Sequence, residues 1–252
     1  MENFFIVKYF QWARPKESAK IRLANRLLAA LGFWPRLQAP QFDGVHGPSW
    51  GGIMTNVEQR MNLYHLASQV LAYGVPGDLV ELGCNQGESS VLIQKVIDHF
   101  DPSRQFHVYD SFEGLPPVSD KDAGTTFVEG ACKTNRAAFV ENFRHYNLRL
   151  PHIHEGWFDK TLPTQLPEQI CFAYLDGDFY DSILVSLQHV YPRMSRGAIC
   201  LIDDYADRSV YPEGWDKLPG VKRACDEYLA GKPERMSYIY AGLMSHGFFR
   251  KQ

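Results

Sequence analysis

The feature that most constrains the fold is an alternation, starting at Gly77, of short apolar runs with segments of helical periodicity. The apolar runs span 78–82, 105–109, 170–175 and 198–202, and the helical patterns span 88–99, 135–147, 180–191 and 219–230. Strands that alternate with helices are typical of a doubly wound α/β fold around a parallel sheet. The tail from Met236 to Arg250 predicts two further strands that form an antiparallel hairpin on that sheet.

The composition indicates one globular domain. The chain has 252 residues, 45% of them apolar, and a formal net charge of −3. A chain of this length needs neither disulfides nor a structural metal for its core, and five scattered cysteines without a CxxC motif indicate free thiols in a cytoplasmic protein. Without a basic excess we expect no nucleic-acid partner. We expect neither a signal peptide nor a membrane span, because only Phe4–Val7 are apolar before Lys8.

Residues 1–52 differ from the rest and predict a helical extension to a main domain at 53–252. Leu23, Leu27 and Leu31 recur at helical spacing, which indicates a helix within 17–31 that packs on the main domain. A basic helix on a membrane or nucleic-acid surface is the alternative. A second helix is predicted over 56–72, with its inward positions at Val57, Met61, Leu66 and Val70.

The first two predicted strands end in residues that suit a nucleoside. Ligands of open parallel sheets bind beyond the carboxyl ends of the strands. The first strand ends at Glu81 and leads into a turn whose glycines, Gly83 and Gly87, allow a ligand close to the backbone. Asn85 stands where a dinucleotide fingerprint has a glycine, which argues against a diphosphate. Asp110 ends the second strand and suits the two hydroxyls of a ribose. S-adenosylmethionine fits such a site.

The third and fourth strands end in acids. Asp176 follows one strand, and Asp203 and Asp204 follow the other, so three carboxylates are expected at one edge of the sheet. Converging anions repel unless a cation or proton intervenes, and oxygen ligands alone suit Mg²⁺ or another hard divalent cation. For Asp178 a simpler interpretation is that it caps the helix beginning near Tyr180.

With these motifs in place, the chain resembles the macrocin, mycinamicin and novobiocin sugar O-methyltransferases, the TylF/MycF group. The resemblance runs from about Met54 to Arg250. Its markers are Val75-Pro-Gly-Asp-Leu-Val-Glu81, Asp110-Ser-Phe-Glu-Gly114, Gly156-Trp-Phe-Asp-Lys-Thr-Leu-Pro163, Asp176-Gly-Asp-Phe-Tyr-Asp-Ser182, Tyr191-Pro and Ile202-Asp-Asp-Tyr205. It implies a class I, Rossmann-like methyltransferase fold with a mostly parallel seven-stranded sheet, bound S-adenosylmethionine and Mg²⁺, and commonly a homo-oligomer.

The resemblance also implies roles for single residues. Glu81 and Gly83 would border the methionine part of the cofactor, Asp110 and Ser111 the ribose, and Trp157 and Phe158 the adenine. The full set of predicted cofactor-binding residues is Ile53, Met54, Glu81, Gly83, Cys84, Asn85, Gly87, Asp110, Ser111, Trp157 and Phe158. Asp176, Asp203 and Asp204 would hold the metal.

The resemblance further implies that Asp176 takes the proton of an accepting hydroxyl in a vicinal diol. His46, His65 and Tyr205 are alternative bases. We expect the acceptor to be a sugar of a natural product or glycan, with a catechol-like phenol as the alternative, and a lid formed by the first 50 residues and by 118–134. A nicotinamide-dependent dehydrogenase and a non-catalytic protein of the same fold are the competing classes.

Overall fold

A seven-stranded sheet organises the part of the chain that the computed structural model describes, namely Leu27 and residues 54–242 and 244–252. Its strands are β1 (Asp78–Leu82), β2 (Phe106–Asp110), β3 (His152–Glu155), β4 (Ile170–Leu175), β5 (Met194–Asp203), β6 (Ser237–Ala241) and β7 (Met244–Arg250). The strand order is β3-β2-β1-β4-β5-β7-β6. β7 is antiparallel to β5 and β6, and the other neighbours are parallel. The predicted sheet and its antiparallel hairpin are confirmed.

Helices in the crossover connections between parallel strands cover both faces of this sheet, as in doubly wound folds. They are α1 (Val57–Ala72), α2 (Glu88–Phe100), α3 (Arg136–His145), α4 (Phe158–Gln165), α5 (Tyr180–Val190) and α6 (Pro219–Leu229), with 3₁₀ turns at Asp120–Asp122 and Tyr191–Arg193. Every residue of β4 is buried, which is the pattern of a central parallel strand covered on two sides. Among the described helices none is long and apolar enough to cross a membrane.

The strand order places a crevice at the carboxyl ends of β1 and β4. From β1 the chain proceeds outward to β2 and β3, while β4 and β5 lie on the other side of β1. Connections that leave in opposite directions open a gap between two neighbouring strands, and this gap is where such folds bind ligands. The strand-end residues singled out in the sequence therefore surround one position.

Two elements were not predicted, β3 and α4. β3 reads His-Ile-His-Glu, lies at the sheet edge and is partly exposed, so it lacks the apolar run that marks a central strand. α4 is eight residues long and contains Pro163, which disfavours a helical prediction. β5 also begins earlier than predicted, at Met194.

Two of the four residues predicted to face inward on α1 are buried, and the other two are exposed. Leu66 and Val70 are buried, but Val57 and Met61 are each 50% exposed. Polar residues, including Gln59, Arg60 and Asn62, occupy the inward positions of the first two turns, because this end of the helix faces a polar network. The predicted helix within 17–31, and the boundary of the extension at residue 52, lie outside the described residues except for Leu27, which is helical and exposed.

Candidate active site

A cavity of about 790 Å³ opens at the carboxyl ends of the central strands. This volume is within the range of roughly 300–1,000 Å³ that small-molecule sites occupy. The predicted site residues on its wall are Met54, Gly83, Asn85, Asp110, Ser111, Trp157, Phe158, Asp176, Asp203 and Asp204. The fold thus brings the predicted nucleoside-binding and acidic residues to one cavity.

Three predicted cofactor residues lie behind the wall and shape the turn. The carboxylate of Glu81 is fully buried and accepts hydrogen bonds from the hydroxyls of Ser89 and Ser90 at the start of α2. Burial raises the pKa of Glu81 to about 7, even though both hydrogen bonds lower it. Cys84 is buried, and Gly87 is the N-cap of α2. Ile53 lies outside the described residues.

Gly83 sits at the closest approach of β1 to β4. Its φ is +91°, and a Cβ atom there would lie 1.8 Å from the carbonyl oxygen of Asp176. No side chain fits in that space, so glycine is required by contact with the neighbouring strand as well as by backbone conformation. This contact holds the nucleoside side of the cavity directly beside its acidic side.

Asp110 is held by backbone amides on both carboxylate oxygens. Oδ2 accepts from the Asn85 amide at 2.8 Å, and Oδ1 accepts from the Phe112 amide at 2.7 Å. A carboxylate has about four lone-pair sites, so Asp110 can still accept from a ligand hydroxyl. The carbonyl of Asp110 also accepts from the amide of Gly156 at 2.8 Å, which positions Trp157 and Phe158 at the start of α4 on the same wall.

Acids of the β4 and β5 ends form the second part of the cavity. One oxygen from each of Asp176, Asp178 and Asp204 lies within 4.8 Å of the other two. Burial, followed by the charge of Asp203, raises the pKa of both Asp176 and Asp204 well above its ordinary value. Burial and then Asp203 and Asp110 raise the pKa of Asp178 to about 7. The group therefore has a strong electrostatic need for a cation or for protons.

Asp203 lines the same cavity but is not one of these three closely spaced acids, although the sequence grouped it with Asp204. It is the last residue of β5, where successive side chains point to opposite faces, and Asp204 has left the strand with a φ of +56°. Asp203 Oδ1 instead lies 2.9 Å from Gln59 Nε2 and 2.7 Å from His246 Nε2. Sequence reasoning missed both of these partners, because neither belongs to a strand-end motif.

The interpretation of Asp178 as a helix cap was wrong. The N-cap of α5 is Phe179, and no side chain of its own turn caps the helix. The amide of Tyr180 instead donates at 2.7 Å to Oδ1 of Asp122, from the 3₁₀ turn at Asp120–Asp122. Asp178 is thereby left free to join the acidic group.

Of the three alternative bases, the structure describes His65 and Tyr205, and neither lines the cavity. His65 is exposed on α1 and pairs with Gln69. Tyr205 is buried, and its hydroxyl donates to Asp226 at 2.8 Å. His46 lies outside the described residues.

The rest of the wall is aromatic and apolar. Phe127 and Trp215 both line the cavity, and their rings make an edge-to-face contact with centroids 6.0 Å apart. Phe127 belongs to segment 118–134, which the sequence identified as a candidate lid, whereas nothing in the sequence marked Trp215. Pro116, Pro117, Leu184 and Val185 complete an apolar surface beside the acids.

Residues 34–222 match the family model described as Macrocin-O-methyltransferase (TylF). Over 176 residues the chain is 35% identical to 8-demethyl-8-(2,3-dimethoxy-alpha-L-rhamnosyl)-tetracenomycin-C 4'-O-methyltransferase of Streptomyces olivaceus, covering 66% of this chain and 67% of that protein. It is 31% identical to demethyldecarbamoylnovobiocin O-methyltransferase of Streptomyces niveus, covering 75% of this chain and 71% of that one.

The fold comparison agrees with the sequence comparison. The structure of the O-methyltransferase NovP superposes with a TM-score of 0.67 at 27% identity, over 78% of this chain and 81% of NovP. The resemblance inferred from the strand-end motifs is confirmed, and so is the fold that it implied. These matches favour the methyltransferase interpretation over the dehydrogenase one.

Proposed function

The chain belongs to the macrocin O-methyltransferase (TylF) family, and we propose that it moves a methyl group from S-adenosylmethionine to one hydroxyl of a vicinal diol on a sugar of a natural product or glycan. The observation that carries this proposal is that one cavity is lined both by Asp110, whose carboxylate accepts from two backbone amides, and by the acidic group. A donor bound at the first would face an acceptor bound at the second. The tetracenomycin relative, whose name includes a rhamnosyl group, supports a sugar acceptor.

The cofactor half would use backbone as much as side chains. Asp110 would accept both ribose hydroxyls through its remaining lone pairs, with Ser111 beside it, and Gly83 would leave room for the methionine part. Trp157 and Phe158 would lie along the adenine, whose flat face suits aromatic neighbours. Met54 would cover the donor from the start of α1. Asn85 and Gly87 would shape the turn, and Glu81 and Cys84 would support it from behind.

The acidic half fits a hard divalent cation. Oδ1 of Asp204 is buried and has no hydrogen-bond partner among the described residues, and the three grouped oxygens lie within 4.8 Å of one another. Oxygens that share one Mg²⁺ are at most roughly 4.2 Å apart, and around the larger Ca²⁺ about 5 Å. Asp176, Asp178 and Asp204 would hold the ion, and Asp203 would join them from β5.

The proposed mechanism assigns proton transfer to Asp176. A divalent ion at the acids supplies positive charge that favours loss of the acceptor's proton. Asp176 takes that proton on a carboxylate oxygen as the hydroxyl oxygen attacks the methyl carbon. The carbon–sulfur bond breaks as the carbon–oxygen bond forms, and S-adenosylhomocysteine leaves. The other residues of the cavity wall would contribute mainly by alignment, because they would hold the hydroxyl oxygen close to the methyl carbon and exclude water.

The acceptor would occupy the apolar surface beside the acids. The rings of Phe127 and Trp215 would pack against the carbon skeleton of a sugar, while the acidic group would bind its hydroxyls. A catechol would fit the same combination of flat apolar wall and acidic group, so it is the second candidate. Segment 118–134 would close over either acceptor.

The test is an acceptor panel with the full chain, S-adenosylmethionine and Mg²⁺. Methyl α-L-rhamnopyranoside, its derivative blocked at the central C3 hydroxyl so that no vicinal pair of hydroxyls is left free, and catechol are compared by release of S-adenosylhomocysteine and by product mass. We expect turnover with the free diol, loss with the blocked diol, and loss on adding EDTA that excess Mg²⁺ reverses. Turnover indifferent to EDTA would remove the cation from the proposal, and preference for catechol would replace the sugar. Binding of NAD in place of S-adenosylmethionine would overturn the methyltransferase assignment.

A further inference from the structure

Asp203 lies between the acidic group and a buried polar network on the far side of β5. Its Oδ1 is 2.9 Å from Gln59 Nε2 on α1 and 2.7 Å from His246 Nε2 on β7. Gln59 and His246 are both fully buried. Both contacts are made to the same carboxylate oxygen.

The orientation of the Gln59 amide follows from the start of α1. Asn56 and Gln59 form a reciprocal capping box, in which the Gln59 amide donates to Asn56 Oδ1 at 2.8 Å and the Asn56 amide donates to Gln59 Oε1 at 2.9 Å. Because Oε1 already accepts from the backbone, Nε2 is the atom that faces Asp203. Gln59 therefore donates an N–H to the carboxylate.

The tautomer of His246 follows from Asn62. Asn62 Nδ2 donates to the carbonyl of Tyr240 at 2.9 Å and lies 3.2 Å from His246 Nδ1. An amide nitrogen only donates, so Nδ1 accepts and the ring proton is on Nε2. Nε2 lies 2.7 Å from Asp203 Oδ1, but its N–H makes no well-aligned hydrogen bond to any described residue, so the pair is a close polar contact and not a well-formed hydrogen bond. The antiparallel register pairs His246 with Asp203 directly.

We propose that Gln59 and His246 are positioning residues that fix Oδ1 of Asp203, so that its other oxygen faces the cation. The hydrogen bond from Gln59 and the close contact with His246 both involve Oδ1, and Asp203 lines the cavity. Outer partners of this kind orient metal ligands, and losing one commonly weakens metal affinity about 10–100-fold. The inference rests on the proposed function, because it presumes a cation at the acidic group.

The experiment measures Mn²⁺ and Mg²⁺ binding to the full chain by calorimetry, with S-adenosylhomocysteine binding measured separately. Gln59→Glu keeps the acceptor for the Asn56 amide but replaces the N–H donor with a carboxylate oxygen. We expect the cation Kd to rise about 10-fold or more, while the S-adenosylhomocysteine Kd changes less than about twofold. His246→Phe should weaken the cation similarly. His246→Gln should restore much of the affinity, because its amide nitrogen can replace Nε2.

Gln69→Glu is the matched control, since it adds the same charge to the same helix at a residue that contacts Arg250 instead of Asp203. It should bind the cation as the wild type does. Wild-type cation affinity in both Gln59→Glu and His246→Phe would overturn this inference alone. If the wild-type chain bound no divalent cation, the proposed cation site would fail and this inference with it. If circular dichroism shows that His246→Phe does not fold, Gln59→Glu decides the question.

Discussion

Two regions of this protein contain buried or partly buried carboxylates, and their pKa values are shifted in opposite directions. Near the C-terminus Glu234 is 1% exposed, and it accepts from the Tyr191 hydroxyl at 2.5 Å, the Gln252 amide at 3.1 Å and Lys251 Nζ at 3.3 Å. Burial opposes its ionisation, but these donors together lower its pKa to about 2. In the cavity, Asp176, Asp178 and Asp204 are close to one another and have raised pKa values.

The difference separates an acid that is compensated within the chain from acids that, on our proposal, are compensated by a bound cation. Glu234 has its donors within the chain, so the folded state needs nothing further there. Among the described residues no Lys or Arg forms an ion pair with Asp176, Asp178 or Asp204, and the buried guanidinium of Arg60 pairs with Glu88 instead. Uncompensated buried charge lowers stability, and natural sites accept that cost where a ligand compensates it.

The largest expected effect is on turnover, from neutralising one acid in the cavity. Asp176→Asn should lower kcat about 10²–10⁴-fold, because the amide cannot take a proton from the acceptor. S-adenosylhomocysteine affinity should stay within about twofold, since Asp110 and the turn at Gly83 are unchanged. The measurements are steady-state kinetics with an accepted diol and calorimetry of cofactor binding.

Asp98→Asn is the control, because Asp98 is an exposed residue near the end of α2. It removes one negative charge and should leave kcat unchanged. Full turnover in Asp176→Asn would show that another group moves the proton.

The next effect is on stability, and it has opposite signs in the two regions. Glu234→Gln should lower the free energy of unfolding at pH 7 by about 2 kcal/mol, because the folded state stabilises the ionised form. A depressed carboxylate pKa contributes stability that is complete above the ordinary value and is lost as the pH falls toward 2. Urea unfolding at pH 7 and pH 3 should therefore show a smaller difference between variant and wild type at the lower pH.

Asp178→Asn should instead raise the free energy of unfolding at pH 8 by about 2 kcal/mol when no divalent cation is present. Its pKa near 7 means that the folded state opposes ionisation, so the wild type loses stability as the pH rises from about 4 to 7. Asparagine tolerates the left-handed backbone at this position, where φ is +59°. Saturating Mg²⁺ should shrink or reverse the gain. If Asp178→Asn lowered the free energy of unfolding in the absence of a cation, neutralising an acid would have the same effect in both regions, and the contrast between them would be wrong.

The sequence predicted the parts of the site that follow directly from strand ends. Gly83 and Asp110 were found because each follows an apolar run, and the fold brings consecutive parallel strand ends to one edge. Asp176, Asp203 and Asp204 were placed at the correct edge for the same reason. Their individual orientations were not predictable, because Asp204 has a left-handed backbone directly after β5 and Asp203 contacts Gln59 and His246 from distant segments.

What the sequence did not reveal depends on contacts between distant segments. His246 meets Asp203 through the antiparallel register of β5 and β7, and Asp122 caps α5 from 58 residues away. Trp215 approaches Phe127 only once two loops fold over the same crevice. None of these pairs has a local periodicity or turn signal, so only the assembled sheet identifies them.

The smallest expected effect concerns a third titratable site, His107, which is partly buried beside two other histidines. On β2, next to the edge strand β3, His107 Nδ1 lies 3.0 Å from His154 Nε2. The His107 ring stacks on His152, and its Nε2 is 3.9 Å from Asp78. Burial, then the charges of His152 and His154, lowers the pKa of His107 to about 4. The unfolded chain thus binds more protons between pH 6.5 and 4, and stability is lost as the pH falls through that window.

His107→Asn should reduce this acid-induced loss by about 1 kcal/mol at pH 5, because asparagine keeps a donor near the position of Nδ1 and does not titrate. The loss should not vanish, since burial also lowers the pKa of His154. Urea unfolding from pH 7.5 to pH 4.5 measures the effect, with His65→Asn, an exposed histidine on α1, as the control. If the free energy of unfolding had the same pH dependence in both variants, protonation of His107 would not destabilise the folded state. Burial would then affect stability only through the carboxylates. For these, hydrogen-bond donors within the chain decide whether the pKa is lowered, as in Glu234, or raised, as in Asp178.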